Sequence, residues 1–267
     1  LNKVEVNEKT IGNASHLKLV CVTATGTNNL DKAYLEKRGI AWRNVAGYST
    51  ESVAQHTFAM LFYLLEKLPY DCYVKDEKYI GDKMFTHFDK HFGELAKMTW
   101  GIIGLGNIGR RVADIAKAFG CRVIYYSTSG RNSQPGYERV SFEELLKESD
   151  IVSVHAPLDE NTLDLMNKEA FHQMKKTAIF LNLGRGPIVV EEDLAEALEQ
   201  GEVAAAGLDV LRVEPMSPEN PLRRIKDSEK LLITPHIAWA SVEARTRLME
   251  IICGQIQEFF SNGSPES

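Results

Sequence analysis

The chain has only four cysteines in 267 residues, Cys21, Cys72, Cys121 and Cys253, and no C-x-x-C pair among them. Spacing this wide excludes the disulfide framework of a small secreted domain and a cysteine-built metal site, so no metal is expected. The expectation is buried, reduced thiols in a cytoplasmic protein. Long apolar runs are missing too. No stretch approaches the roughly 20 apolar residues of a membrane helix, and no membrane partner is expected. Positive charge is in deficit: 31 Lys and Arg against 37 Asp and Glu leave a net charge of −6, without a basic run. That balance argues against nucleic acid as a partner. Internal repeats and low-complexity tracts are absent. What remains is 44% hydrophobic and 25% charged, enough for one large or two ordinary domains.

The chain is organised around residues 99–113. An apolar run, TWGII, meets Gly104, Gly106 and Gly109 in the spacing G-x-G-x-x-G, and an amphipathic run from Ile108 to Phe119 follows. This reads as strand, tight turn and helix. Gly104 allows the turn, Gly106 lets backbone approach a pyrophosphate, and Gly109 lets helix and strand pack closely. The helix start then offers its free amides and positive dipole end to an anion. A second β run, 121–126, completes a βαβ unit. Its end departs from the dinucleotide pattern, which places a carboxylate about 20 residues after the glycines. Here Ser127, Thr128, Ser129, Gly130 and Arg131 stand instead. Hydroxyls and a guanidinium suit a phosphate; the same residues also make an ordinary exposed polar turn.

Elsewhere β runs (16–22, 40–45, 151–156, 177–183, 203–210, 231–234) alternate with helical ones (32–37, 50–68, 142–148, 170–175, 191–200, 241–260). The alternation predicts an α/β fold, a doubly wound parallel sheet with helices on both faces. Residues 70–98, aromatic and charged, read as an irregular arm. Ligands of such sheets bind beyond the carboxyl ends of the strands. Three successive strand ends carry Arg185 between two glycines, Glu214, and His236. Together they make a carboxylate clamp and a proton donor oriented by an acid.

These motifs carry a resemblance. NKV near the start, ATGTNNLD, GYSTESVAQHTFAML, GLGNIGRRVA, HAPLDENT, FLNLGRGPIV, GLDVLRVEP and TPHIAWAS resemble, in order and spacing, the D-isomer-specific 2-hydroxyacid dehydrogenases. The similarity runs from Asn2 to about Phe260. Within the family, TPHIAWASxEAR with YSTSG is most similar to bacterial glycerate dehydrogenase (hydroxypyruvate reductase). Family chains carry roughly one more βα stretch before NKV, so this chain is expected to be truncated at its N-terminus.

The resemblance implies a Rossmann-type domain over 69–239 and a smaller, flavodoxin-like substrate domain from 1–68 and 240–267, with the active site in the cleft. It implies hydride transfer between NAD(P)H and a small 2-oxo acid, hydroxypyruvate or glyoxylate giving D-glycerate or glycolate. Arg185 would hold the substrate carboxylate and carbonyl. His236 would exchange the proton, with Glu214 favouring its imidazolium form. Thr25, Gly26 and Thr27 would present amides to the carboxylate, and Trp239 would wall the pocket. Thr25, Asn107, Ile108, Pro157, Thr162, Leu183, Gly184 and Asp209 would line the cofactor beside the three glycines, Asp209 at the nicotinamide carboxamide. The 70–98 arm would reach a second subunit, making a homodimer. Ser127, where NAD-preferring members carry Asp, opens the site to NADPH. Rivals are a D-lactate or phosphoglycerate dehydrogenase-like enzyme and a dinucleotide-sensing co-repressor-like binding protein. Formate dehydrogenase pairs its His with Gln, whereas this chain has Glu214.

Overall fold

The computed structural model describes residues 1–67, 71–88, 90–131 and 133–261, apart from the side chains of residues 71, 72 and 78. The chain divides into two compact units, Leu1–Thr50 with Trp239–Ser267, and Glu51–Ala238.

The smaller unit holds two parallel strands, β1 (Leu19–Val22) and β2 (Ala41–Asn44), in register from Leu19↔Ala41 to Val22↔Asn44. The connecting helix Lys32–Lys37 starts at Asp31, whose side chain accepts the Tyr34 amide, and its Leu35 is fully buried with Val20, Val22 and Ile40. The long helix Val242–Ser261 lays Ala244, Leu248 and Ile252 on Val45 and Tyr48. Thr25 donates its hydroxyl to the Val45 carbonyl (3.1 Å) and accepts Asn44 Nδ2 at its own carbonyl (2.7 Å), which fixes the 23–29 loop. Trp239 meets Tyr48 edge-on at 6.4 Å.

The larger unit is built on a parallel sheet of β3 (Thr99–Ile103), β4 (Arg122–Tyr126), β5 (Glu138–Arg139), β6 (Ile151–Val154), β7 (Ile179–Asn182), β8 (Ala205–Leu208) and β9 (Leu231–Ile233). Its strand order is β5-β4-β3-β6-β7-β8-β9. The order reverses between β3 and β6, the switch point where such sheets take ligands. β6, β7 and β8 are buried at every position, as expected of strands covered on both faces. Each fully buried Val, Leu or Ile contributes about 1.5–3 kcal/mol.

The first unit boundary falls at Thr50–Glu51. The reason is packing: Phe58 of the helix Thr50–Glu66 meets Trp100 at a tilt, centroids 4.9 Å apart, and stacks on Phe119 at 5.8 Å. Met60 and Leu64 of the same helix pack against Gly207. Most boundaries otherwise move by one to three residues. The arm is less irregular than expected, with short helices at Asp71–Val74 and Glu77–Ile80; its residues 70 and 89 lie outside the described ones. Cys121 is buried and Cys21 partly so, but Cys253 is exposed, because it sits on the outward side of the last helix. Among the described residues no helix is long and apolar enough to cross a membrane, and no group of three His, Cys, Asp or Glu could hold a metal ion.

Candidate active site

The glycine turn after β3 is shaped as its spacing predicts. Gly104 has φ +90°, and a methyl built on it would lie 2.8 Å from the Ala156 backbone. Only glycine tolerates both conditions cheaply. Gly106 caps the helix Asn107–Ala118 with no side chain of its own to bond its amides, and among the described residues nothing stands within 4 Å of a methyl built there. An uncapped helix start facing open space fits the pyrophosphate of a dinucleotide.

The loops after β6, β7 and β8 touch in succession. A methyl on Gly184 would lie 3.0 Å from the Ala156 carbonyl oxygen, and one on Gly186 would lie 1.9 Å from the Leu211 carbonyl carbon. Arg185 stands between them on extended backbone. Its Nη1 donates to the Gly184 carbonyl at 2.8 Å, and Asn182 Nδ2 donates to the Arg185 carbonyl at 3.0 Å. Glu191, nearly buried, accepts the Arg212 amide on one oxygen and Asn220 Nδ2 on the other, both at 2.8 Å. It ties the loop after β8 to the helix Glu191–Gln200 that precedes that strand.

Glu214 closes this loop onto the one after β9. Its Oε1 accepts the Leu211 amide at 3.0 Å, and its Oε2 lies 2.8 Å from His236 Nδ1. Both side chains keep about a quarter of their surface exposed, 26% for His236 and 25% for Glu214. The contact assigns the proton on Nδ1 to Glu214 and leaves Nε2 as the exchanging nitrogen. His236 has φ +54°, a conformation that costs a non-glycine residue roughly 1–2 kcal/mol. Asp209 holds it there. Its carbonyl accepts the His236 amide at 2.8 Å, Oδ1 accepts Thr234 Oγ1 (2.6 Å) and the Ile237 amide (2.9 Å), and Oδ2 accepts the Ala238 amide (2.9 Å). His56 Nε2 lies 3.1 Å from Thr234 Oγ1 and 3.7 Å from Asp209 Oδ1.

Some expected site residues have intrachain partners. Thr162 is fully buried and its hydroxyl serves the Pro157 carbonyl and the Asp159 amide, which shapes the loop from within. Asp209, expected at the nicotinamide, has three intrachain donors on its carboxylate. Ser127 is 3% exposed, while Ser129 and Arg131 are exposed and Thr128 is half-buried. Asn107 accepts Arg110 Nη2 at 2.6 Å, and Ile108, Pro157 and Leu183 stand at the same strand ends. Thr25, Gly26, Thr27 and Trp239 belong to the smaller unit. Sequence reasoning missed Glu191, Asn220, Thr234 and His56. Only the run of three acids at 191–193, more than one helix start needs, hinted at Glu191.

Comparison with known proteins decides the family. Residues 58–238 match the model of the D-isomer specific 2-hydroxyacid dehydrogenase, NAD binding domain. The chain belongs to the D-isomer specific 2-hydroxyacid dehydrogenase family. It is 40% identical over 263 residues to a putative 2-hydroxyacid dehydrogenase of Haemophilus influenzae, covering 97% of this chain and 82% of that one. It is 37% identical over 270 residues to a hydroxypyruvate reductase of Blautia hydrogenotrophica, covering 99% and 82%. Among solved structures it is similar to D-lactate dehydrogenase from Aquifex aeolicus complexed with NAD and lactic acid. That match has TM-score 0.84 and 29% identity over 97% of this chain and 80% of that one. An acyclic imino acid reductase in complex with NADPH and D-Arg matches with TM-score 0.85 and 29% identity, over 98% and 81%.

Proposed function

We propose that this dehydrogenase reduces hydroxypyruvate or glyoxylate to D-glycerate or glycolate, and that it accepts NADPH at least as well as NADH. The observation that carries the reading is the Glu214–His236 pair, 2.8 Å apart, on loops contiguous with Arg185 and the glycine turn. A carbonyl reduction needs an anchor for the substrate carboxylate, a proton for the oxygen and compensation of the charge that develops there. Arg185 is the anchor, and its guanidinium also offsets the growing negative charge. His236 Nε2 gives the proton, and Glu214, in contact with Nδ1, orients the ring that carries it. When bound, the dinucleotide supplies the hydride, and Gly104, Gly106, Gly109, Asn107 and Ile108 would hold its pyrophosphate end. Backbone amides at Thr25–Thr27 would add donors for the carboxylate, and Trp239 would bound the substrate's side chain.

NADPH acceptance is supported by the turn after β4, where no carboxylate stands to repel a 2′-phosphate and Thr128, Ser129 and Arg131 can donate to one. A homodimer through the arm is supported by its exposed Ile80, Met84, Phe85, Phe88 and Phe92, since a patch of this kind marks an interface. A cytoplasmic location accords with free thiols at Cys21, Cys121 and Cys253.

The test is steady-state turnover of hydroxypyruvate, glyoxylate and pyruvate with each cofactor, alongside sedimentation of the purified protein. Hydroxypyruvate or glyoxylate is expected to show the highest kcat/KM. Preference for pyruvate would favour a lactate dehydrogenase-like enzyme. Tight dinucleotide binding without turnover of any 2-oxo acid would favour a sensor.

A further inference from the structure

The turn that follows β4 is not made by its own residues alone. The Gly130 amide bonds the Ser127 carbonyl at 3.0 Å, closing the turn. Arg139 reaches the same turn from β5, where it pairs in register with Tyr125, and its Nη2 donates to the Gly130 carbonyl at 3.0 Å. One N–H of the five is engaged there; the rest of the fork remains available for an anion. Arg139 is exposed, as are Ser129, Gly130 and Arg131. Among the described residues no carboxylate lies within ion-pair distance of Arg139 or Arg131.

The acid beside Arg139 does not interfere. Glu138 neighbours it in the strand, so its side chain leaves from the opposite face. There Arg122 donates to both Glu138 oxygens at 2.6 and 3.1 Å, and also reaches Glu148. The Arg122 guanidinium holds the Glu138 carboxyl below the usual carboxylate range. The negative charge of β5 is thus compensated on one side while its positive charge faces the turn.

We propose that Arg139 is a specificity-determining residue, a second cationic arm that with Arg131 flanks the 2′-phosphate of a phosphorylated dinucleotide. The proposal rests on the reading that this turn accepts such a phosphate. It adds a residue 30 positions beyond Gly109, the last glycine of the motif, outside the span in which cofactor preference is usually read.

Adenosine 2′,5′-bisphosphate and 5′-AMP separate the two readings, because they differ only in that phosphate. Their inhibition constants against the full chain, with KM for NADPH and NADH, would be measured for the parent, Arg139→Ala, Arg139→Lys and Arg131→Ala. The parent is expected to bind the bisphosphate more tightly than AMP. Arg139→Ala should weaken the bisphosphate and NADPH by about three- to tenfold, the modest size expected of an exposed charge pair. AMP and NADH should stay within about twofold, and Arg139→Lys should recover part of the loss. Added salt should erode the parent's preference and leave the Ala variant less affected. A parent that does not distinguish the bisphosphate from AMP overturns the phosphate reading, and this proposal with it. A parent that does distinguish them, through Arg131 alone and with Arg139→Ala silent, overturns this proposal only. Equal weakening of both inhibitors by Arg139→Ala also overturns it, since Arg139 would then merely brace the turn.

Discussion

Glu214 joins two loops through its two oxygens, Oε2 standing 2.8 Å from His236 Nδ1 and Oε1 accepting the Leu211 amide at 3.0 Å. Glu214→Gln keeps the size and an acceptor but removes the carboxylate that holds the His236 ring by Nδ1. Reduction needs a proton delivered from that ring in a fixed orientation, so the variant should lose about tenfold or more in kcat for reduction with little change in KM for the dinucleotide. Steady-state kinetics of parent and variant check this; an unchanged kcat would leave Glu214 as a brace of the two loops only.

Asp209 is 2% exposed, and its carboxylate is met by two amides and one hydroxyl. Asp209→Asn turns one accepting oxygen into a donor facing another donor. An unsatisfied buried group costs about 1–3 kcal/mol, and the segment it tethers carries His236. The expected outcome is a lower melting temperature with a fall in kcat larger than any change in KM for the dinucleotide. If the KM for the dinucleotide rises alone, Asp209 acts on the cofactor and not on the loop.

Gly186 is packed against the next loop so closely that any side chain must move it. A methyl there would sit 1.9 Å from the Leu211 carbonyl carbon and 2.4 Å from the Arg212 amide nitrogen. Both are backbone atoms, held in turn by the Glu191 and Glu214 carboxylates. Gly186→Ala should destabilise by about 3 kcal/mol, at the upper end of overpacking costs, and raise KM for the 2-oxo acid by displacing Arg185. Denaturant melts and substrate kinetics would measure both. Unchanged stability would mean that the Leu211–Arg212 loop yields freely.

The fold was largely legible because its periodicities are local. The G-x-G-x-x-G turn, the Ser141 cap on the Glu144 amide and the apolar β runs each state their structure within a few residues. Arg185, Glu214 and His236 were legible for a related reason, as polar residues placed just past strand ends. What was not legible depends on contacts distant in sequence. Glu191 bonds Arg212 and Asn220, and His56 meets Thr234 at a separation of 178 residues. The helix Thr50–Glu66 is apolar on several sides, so its pattern could not say which unit would claim it; Trp100 and Phe119 decide that. The two-residue strand β5 is too short to show a period, which hid Arg139.

His155 gives a prediction for acid stability. Its Nε2 lies 3.1 Å from Ser153 Oγ, which also accepts Trp100 Nε1, while its buried Nδ1 lacks a partner among the described residues. Burial pushes the imidazole down to about 3. In the folded protein the ring therefore stays neutral where the unfolded chain, with the ordinary value of 6.5, takes up a proton. The unfolded state binds more protons in that window, so stability falls as pH drops from about 6.5 towards about 3. His155→Phe removes the titrating ring and should flatten the dependence of melting temperature on pH over this range. An identical slope in parent and variant would assign the acid sensitivity to other groups.

The cofactor prediction turns on Ser127, which closes β4 where a carboxylate would select an unphosphorylated ribose. A carboxylate there accepts the ribose hydroxyls and opposes a 2′-phosphate; in a partly enclosed site that opposition is costly. Ser127 is 3% exposed, so a 2′-phosphate at this turn would meet Thr128, Ser129 and Arg131, and the contribution of Ser127 would be the charge it does not bring. Ser127→Asp should lower kcat/KM for NADPH about tenfold or more and raise it for NADH, because the new carboxylate must turn outward to stay hydrated. Arg131→Ala should weaken NADPH and leave NADH nearly unchanged. Melting temperatures guard against a trivial loss, since forcing a charge into a buried position would lower stability for both cofactors alike. If the parent already binds NADH far more tightly than NADPH, the turn is polar without being a phosphate site, and Ser127→Asp should then leave the preference where it is.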